Sequence, residues 1–77
     1  MNDRFTVLPM CIISEEGITT VDLRLNLFQV EGYVNSVAEY VSESGLINQY
    51  DCTKVYTKSG FEYDIMMPIA DFDAIFK

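Results

Sequence analysis

Three groups of side chains in this sequence belong to types that are used in catalysis. They are the acidic pairs Glu15-Glu16 and Asp71-x-Asp73, and a cysteine beside a carboxylate, Asp51-Cys52. Paired carboxylates can act as a general acid and base, and a cysteine can act as a nucleophile when a base generates its thiolate. Histidine, the usual group for proton transfer near neutral pH, is absent from the sequence.

The positions of these groups do not favour catalysis. Asp71 and Asp73 are two residues apart on a predicted helix, so their side chains diverge by about 200° around its axis. Cys52 has no neighbouring base that would generate a thiolate. Glu15 and Glu16 lie in a predicted turn and are most simply solvated. We therefore expect a protein that is not an enzyme.

No motif for a metal or a nucleotide is present, so we expect no cofactor. Cys11 and Cys52 cannot complete an ordinary tetrahedral zinc site, because the sequence contains no histidine. The four glycines are isolated and do not form a phosphate-binding loop. We expect both cysteines to be reduced thiols of a cytoplasmic protein, packed as small core residues, rather than a disulfide.

The composition is acidic, with twelve Asp and Glu against five Lys and Arg and a formal charge of −7 at pH 7. Phosphate contacts need a basic face, so we expect no direct binding of nucleic acid. An acidic surface can serve solubility alone. It can also attract a basic protein, such as a nucleic-acid enzyme.

The length of 77 residues and the hydrophobic content of 49% predict a single small domain over residues 1–77. A domain of this size buries only about 60% of its unfolded surface, and self-association would add stability. Residues 1–14 include Pro9 and lack a small-residue cleavage site, so they do not resemble a signal peptide. No apolar run approaches the roughly 18 residues of a membrane helix, so we expect no membrane partner.

A long β-hairpin is predicted over residues 4–30. Apolar and polar residues alternate over residues 20–27, which is the period of a strand with one buried face. A three-residue loop at 15–17, ending in Gly17, joins it to an upstream strand and pairs Cys11 with Val21. Pro9 cannot donate to a ladder, so the upstream strand should be an edge strand or have a bulge there.

In this register the upstream strand has a second apolar face, formed by Leu8, Met10 and Ile12. A strand that is apolar on both faces must be covered on both, by a helix of the same chain or by another molecule. We therefore predict Leu8, Met10 and Ile12 as protein-binding residues. Pairing of this strand with a second copy would give a homodimer.

A second hairpin is predicted over residues 52–67, with a loop at 58–60 in which Gly60 takes a positive φ. This register pairs Lys54 with Asp64 and Tyr56 with Glu62, so opposite charges meet. After Pro68, at the predicted first helical position, apolar residues recur at helical spacing. These residues, which should dock the helix on the sheet, are Ile69, Phe72, Ile75 and Phe76.

The middle of the chain allows two interpretations. Ser36-x-x-Glu39 resembles a capping box, and Gly45 is a suitable helix end, so the spacing favours a short helix over residues 37–44. The β-branched and aromatic residues of the same segment would also suit a strand. Residues 46–50 are interpreted as a connection into the second hairpin.

The segment CTKVYTKSGFEYDIMMPIADFDAIF, residues 52–76, resembles the hairpin and short docked helix of FlbD-type flagellar regulatory proteins and of other small phage and bacterial proteins. This resemblance covers about a third of the chain. It implies a small architecture and a phage or mobile-element origin, and it implies no functional residues. Relatives usually carry a charged residue where Pro68 stands, and they lack the long first hairpin.

Together these patterns predict an α+β fold, with an antiparallel sheet of about four strands and one or two short helices packed on it. We expect a non-enzymatic acidic protein that binds another protein, in the specific form of a phage-encoded inhibitor in the host cytoplasm. The alternative is a homo-oligomer with a structural or small-ligand-binding role. Tyrosine is favoured at interfaces and carboxylates steer basic partners, so the further predicted binding residues are Tyr33, Tyr40, Tyr56, Glu62 and Asp64.

Overall fold

The computed structural model describes residues 4–77, so the first three positions of the predicted domain and of the N-terminal stretch lie outside the described residues. Five strands and one α-helix follow one another along the chain, with a short 3₁₀ turn at Leu27–Gln29. They are β1 (Phe5–Ser14), β2 (Gly17–Asn26), β3 (Val30–Val41), β4 (Ile47–Thr57), β5 (Glu62–Ile65) and α1 (Ile69–Phe76).

The strands form one antiparallel sheet in the order β2-β1-β5-β4-β3. An antiparallel sheet with a packed helix was predicted and is confirmed. The sheet has five strands rather than about four, because the segment predicted to be a helix is a strand.

The hairpin β4–β5 has the predicted register. Lys54 pairs with Asp64 and Tyr56 pairs with Glu62. Gly60 has a φ of 93°, and its N–H donates to the carbonyl of Thr57 at 3.0 Å. The loop and the charge pairs specify the same register, which is why this part of the sequence was informative.

The hairpin β1–β2 is shifted by one residue from the predicted register. Ser14 pairs with Gly17 across a two-residue turn, so Met10, and not Cys11, faces Val21. The Ser14 hydroxyl accepts from the N–H of Glu16 and donates to the carbonyl of Gly17, both at 3.3 Å. Since both faces of β1 are apolar, the pattern of hydrophobic residues could not choose between the two registers.

The predicted helix over residues 37–44 is wrong, because these residues continue β3 up to Val41 and then enter a turn. Strand β3 pairs with β4 from Val30 to Val41, and the predicted connection at 46–50 belongs largely to β4. Gly45, predicted to end a helix, lies in the turn with a φ of 83°. The capping-box interpretation failed because pairing with β4 outweighs a weak local signal.

The core lies between one face of the sheet and α1. Phe72 is fully buried, and Ile69, Ile75 and Phe76 are half-buried, so the predicted apolar side of the helix is confirmed. The helix begins one residue later than predicted, at Ile69. The buried cluster consists of Leu8, Leu25, Leu27, Val30, Val55, Ile65 and Phe72.

Two contacts attach β1 to the C-terminal part of the chain. Met10 pairs with Ile65, and the Pro9 carbonyl accepts from the N–H of Met66 at 2.7 Å. Strand β1 is therefore not an edge strand. The N–H and C=O of one residue point to the same side in an antiparallel ladder, and the Pro9 C=O faces β5. The N–H that proline lacks would therefore also face β5, and Pro9 is tolerated because β1 and β5 pair only briefly.

The Arg4 guanidinium lies at the C-terminal end of α1. It donates to the carbonyls of Ile75 and Phe76 at 3.1 and 3.2 Å. A cation at this end of a helix interacts favourably with the helix dipole. The N-terminal end of the described chain is thereby attached to the C-terminal helix.

Candidate binding surface

The eight residues predicted to bind a partner lie on opposite faces of the sheet. Directly paired residues point to the same face of a sheet, and the pairs are Met10 with Ile65, Ile65 with Thr53, and Tyr33 with Val55. One group of the predicted residues therefore lies on the face that carries α1. That group consists of Leu8, Met10, Ile12 and Tyr33. The other group, on the opposite face, consists of Tyr40, Tyr56, Glu62 and Asp64. The eight residues thus do not form one surface.

Leu8 is buried in this chain, since only 1% of its surface is accessible and it belongs to the core. In the observed register, which is shifted by one residue from the predicted one, Leu8 pairs with Leu23. Met10 is half-buried beside Ile65, and Ile12 is 37% exposed. The uncovered face of β1 is instead the one that carries Phe5 and Val7, which are each 58% exposed.

Tyr33 contacts the helix α1 through its ring and its hydroxyl. Its ring packs edge-on against Phe72 and Phe76, with centroid distances of 4.6 and 5.3 Å. Its hydroxyl donates a hydrogen bond to the carboxylate of Asp73 on α1. This hydrogen bond, with partial desolvation and the charge of Asp73, raises the pKa of Tyr33 above the ordinary tyrosine value.

We expect this raised pKa to make stability fall at alkaline pH. The folded state holds the Tyr33 proton more tightly than the unfolded state, so the contribution is complete below the unfolded pKa of about 10. It is lost as the pH rises through the folded pKa. Urea unfolding of the wild type and of Tyr33→Phe, from about pH 8 to pH 11, should show a steeper loss for the wild type. Equal slopes for the two proteins would contradict the assignment.

The predicted residues on the opposite face make mostly internal contacts. Tyr40 donates from its hydroxyl to the carbonyl of Glu15 at 3.0 Å, which joins β3 to the turn between β1 and β2. The Lys54 ammonium lies 3.9 Å from a Glu62 oxygen and 4.0 Å from Asp64 Oδ1. Tyr56 is 36% exposed. Such exposed ion pairs contribute little to stability and provide no apolar contact area.

The two cysteines are free thiols in protected positions. Cys52 is 1% exposed and Cys11 is half-buried. Burial, followed by the charge of Asp64, raises the pKa of Cys11, and burial is also the main cause of the raised pKa of Cys52. Both thiols are therefore protonated at neutral pH and are weak nucleophiles. Cys52 is buried, as predicted for both cysteines, whereas Cys11 is only half-buried.

Residues 4–77 contain no pocket and no cluster of metal-ligating side chains. Within the same residues, none of the helical structure has the length and apolar character needed to cross a membrane.

An exposed apolar surface lies at the end of the hairpin β3–β4, and its strand residues lie on the sheet face that carries α1. We call it the distal apolar face, and it consists of Val37, Val41, Ile47 and the adjoining turn residue Leu46. These side chains are between 52% and 64% exposed. Val41 and Ile47 are directly paired across the two strands.

Polar side chains lie within the distal apolar face and beside it. Glu39 pairs with Gln49 between the two apolar positions of β3, and the Gln49 amide donates to the Glu39 carboxylate at 2.9 Å. Asp51 pairs with Val37, and Glu43 lies in the turn. One polar pair therefore divides the apolar residues at this end of the hairpin, and further carboxylates lie beside them.

The sequence did not point to this surface, because the segment 37–44 was interpreted as a helix. In a helix, Val37 and Val41 would share a face with Tyr40, whereas in β3 Tyr40 points to the opposite side. The density of β-branched and aromatic residues over 32–41 was the available signal for a strand.

Comparison with protein families, with curated proteins and with solved structures found no match to this chain.

Proposed function

We propose that this protein acts by binding another polypeptide through the distal apolar face of the hairpin β3–β4. One observation carries the proposal: Val37, Val41 and Ile47, each more than half exposed, lie on one side of a strand pair, and the exposed Leu46 adjoins Ile47 in the turn. Contiguous exposed apolar patches on small soluble domains mark interaction sites more often than single exposed residues do.

The size of the protein supports the same proposal. The core cluster consists of residues from one end of β3 and β4 together with β1, β2, β5 and α1, and it does not include the distal apolar face. A chain of 77 residues has a small core and gains stability when a partner covers additional apolar surface. The exposed valines and Ile47 thus have a physical reason to be covered.

Affinity capture with a single lysine substitution tests the proposal. We expect a tagged wild-type chain to retain a polypeptide that Val41→Lys retains at least about tenfold less, since a charge would be buried in the interface. The capture mixture contains a host lysate and an untagged copy of the chain, and mass spectrometry identifies what is bound.

Phe61→Lys is the matched control, because Phe61 is a similarly exposed apolar residue at 60% and lies outside the distal apolar face. It should retain the partner as the wild type does. If Val41→Lys and the wild type retain the same polypeptides in equal amounts, the distal apolar face is not the binding site.

A phage-encoded inhibitor of a basic host protein is a second, more specific form of this function. It is supported by the formal charge of −7 and by three acidic residues within or beside the distal apolar face, Glu39, Glu43 and Asp51. Steering by these carboxylates would weaken capture as salt rises, since exposed charges are screened. A captured host protein whose recovery is independent of salt would argue against this form.

A further inference from the structure

We propose that the polypeptide bound at this hairpin is a second copy of the same chain, joined through the free edge of β3 in an antiparallel register centred on Val37. This inference rests on the proposed function, because it names the partner of the same hairpin. It uses the edge of β3 rather than β1, which was the strand predicted from the sequence to pair with its copy.

The edge of β3 is available for pairing. Strand β3 lies at the end of the sheet and pairs only with β4 among the strands of residues 4–77. An edge strand presents a row of N–H and C=O groups that can pair with another chain. Val34, Val37 and Val41 are 48–53% exposed along this strand, which contains no lysine, arginine or proline to block an approaching strand.

The sequence of β3 is complementary to itself in one register. A twofold axis through Val37 places Val37 opposite its own copy and Val41 opposite Tyr33 of the second copy. Glu39 then lies opposite Asn35 of the second copy, so an amide and not another carboxylate meets each glutamate. Residues 33–41 of the two copies would form about eight to ten new backbone hydrogen bonds.

Neighbouring registers are less favourable. Moving the axis to Ser36 places Glu39 opposite Tyr33, and moving it to Ala38 places Glu39 opposite Val37. Moving it to Asn35 places Glu39 opposite Glu31, and like charges directly opposite each other are destabilising. Among these four registers, only the one centred on Val37 places Val41 opposite an apolar residue and keeps Glu39 away from another carboxylate.

The same register also gives Val37 and Val41 of the distal apolar face new neighbours at the edge of the sheet. Tyr33 already packs against Phe72 and Phe76 of α1. When Val41 of one copy lies beside Tyr33 of the other, the exposed end of the hairpin adjoins the partner's core. The interface would then continue the core of each chain across the axis.

Light scattering and disulfide cross-linking test the proposal together. We expect the wild type to have twice the 8.8 kDa mass of one chain. Val37→Lys, which places two lysines opposite each other, should have the mass of a single chain. Val21→Lys changes a valine that is 44% exposed on the other edge strand, and it should remain a dimer.

Disulfide cross-linking tests the register between the β3 strands of the two copies. In Val37→Cys the two new thiols would lie on directly opposite residues, with Cα atoms about 4.5–5.5 Å apart, within the range of a disulfide. Mild oxidation should link this variant. Asn35→Cys should not link to itself, because the two copies of residue 35 would be about 13 Å apart along the strands. A mixture of Asn35→Cys and Glu39→Cys should link again, and the wild type controls for Cys11 and Cys52.

A monomeric wild type, or a dimer in which Val37→Cys does not cross-link and Asn35→Cys does, would overturn the proposal. These outcomes are separable from failure of the proposed function. If Val41→Lys loses a host protein while Val37→Cys stays uncross-linked, the distal apolar face binds a different polypeptide. If Val37→Cys cross-links as expected, the partner is the second copy, whatever else the lysate provides.

Discussion

Replacement of Phe72 by alanine is expected to destabilise the protein by about 3–5 kcal/mol, the cost of removing a buried aromatic ring from a packed core. Phe72 is fully buried and contacts the rings of Tyr33 and Phe76, with centroid distances of 4.6 and 6.0 Å. The free energy of unfolding of a domain is roughly 0.05–0.15 kcal/mol per residue, so a loss of this size is a large part of the stability of so short a chain. Urea unfolding followed by circular dichroism measures the loss.

Phe61→Ala is the control for this experiment. Phe61 is 60% exposed in the loop that leads into β5. Its replacement should change the unfolding free energy by no more than about 0.5 kcal/mol. Similar losses for Phe61→Ala and Phe72→Ala would show that α1 does not dock on the sheet through Phe72.

Leu8→Ala is expected to cost about 2–5 kcal/mol, whereas Val7→Ala should cost no more than about 0.5 kcal/mol. The two residues are adjacent and both apolar, but Leu8 is 1% exposed and Val7 is 58% exposed. The comparison therefore measures the register of β1 against β2. Urea unfolding of the two variants under the same conditions provides the numbers.

The three-residue loop predicted from the sequence gives the opposite expectation. In that register Val7 would face Leu25 on the core side, and Leu8 would lie on the outer face. A larger loss for Val7→Ala than for Leu8→Ala would support the predicted register and contradict the structural one.

The parts of the fold that could be predicted are those where independent local signals agree. In β4–β5, Gly60 fixes the loop, and the pairing of Lys54 with Asp64 specifies the same register. In α1, helical spacing of Ile69, Phe72 and Ile75 follows directly from the sequence. Each of these elements is specified by residues close together in the chain.

The parts that could not be predicted depend on contacts between distant segments. The register of β1 was ambiguous because Val7 and Leu8 are both apolar, and burial beneath α1 decides between them. Residues 37–44 have a spacing compatible with a helix, and the ladder with β4 makes them a strand. The distal apolar face was missed for this reason, since it exists only when Val41 pairs with Ile47.

The strand order has a consequence for synthesis of the protein on the ribosome. Strand β5 lies in the middle of the sheet, between the hairpin β1–β2 and the pair β3–β4, yet it is the last strand along the chain. A nascent chain that has not yet exposed Ile65 can hold two separate hairpins and no complete sheet. The two hairpins are thus united only after all four of their strands have been synthesised.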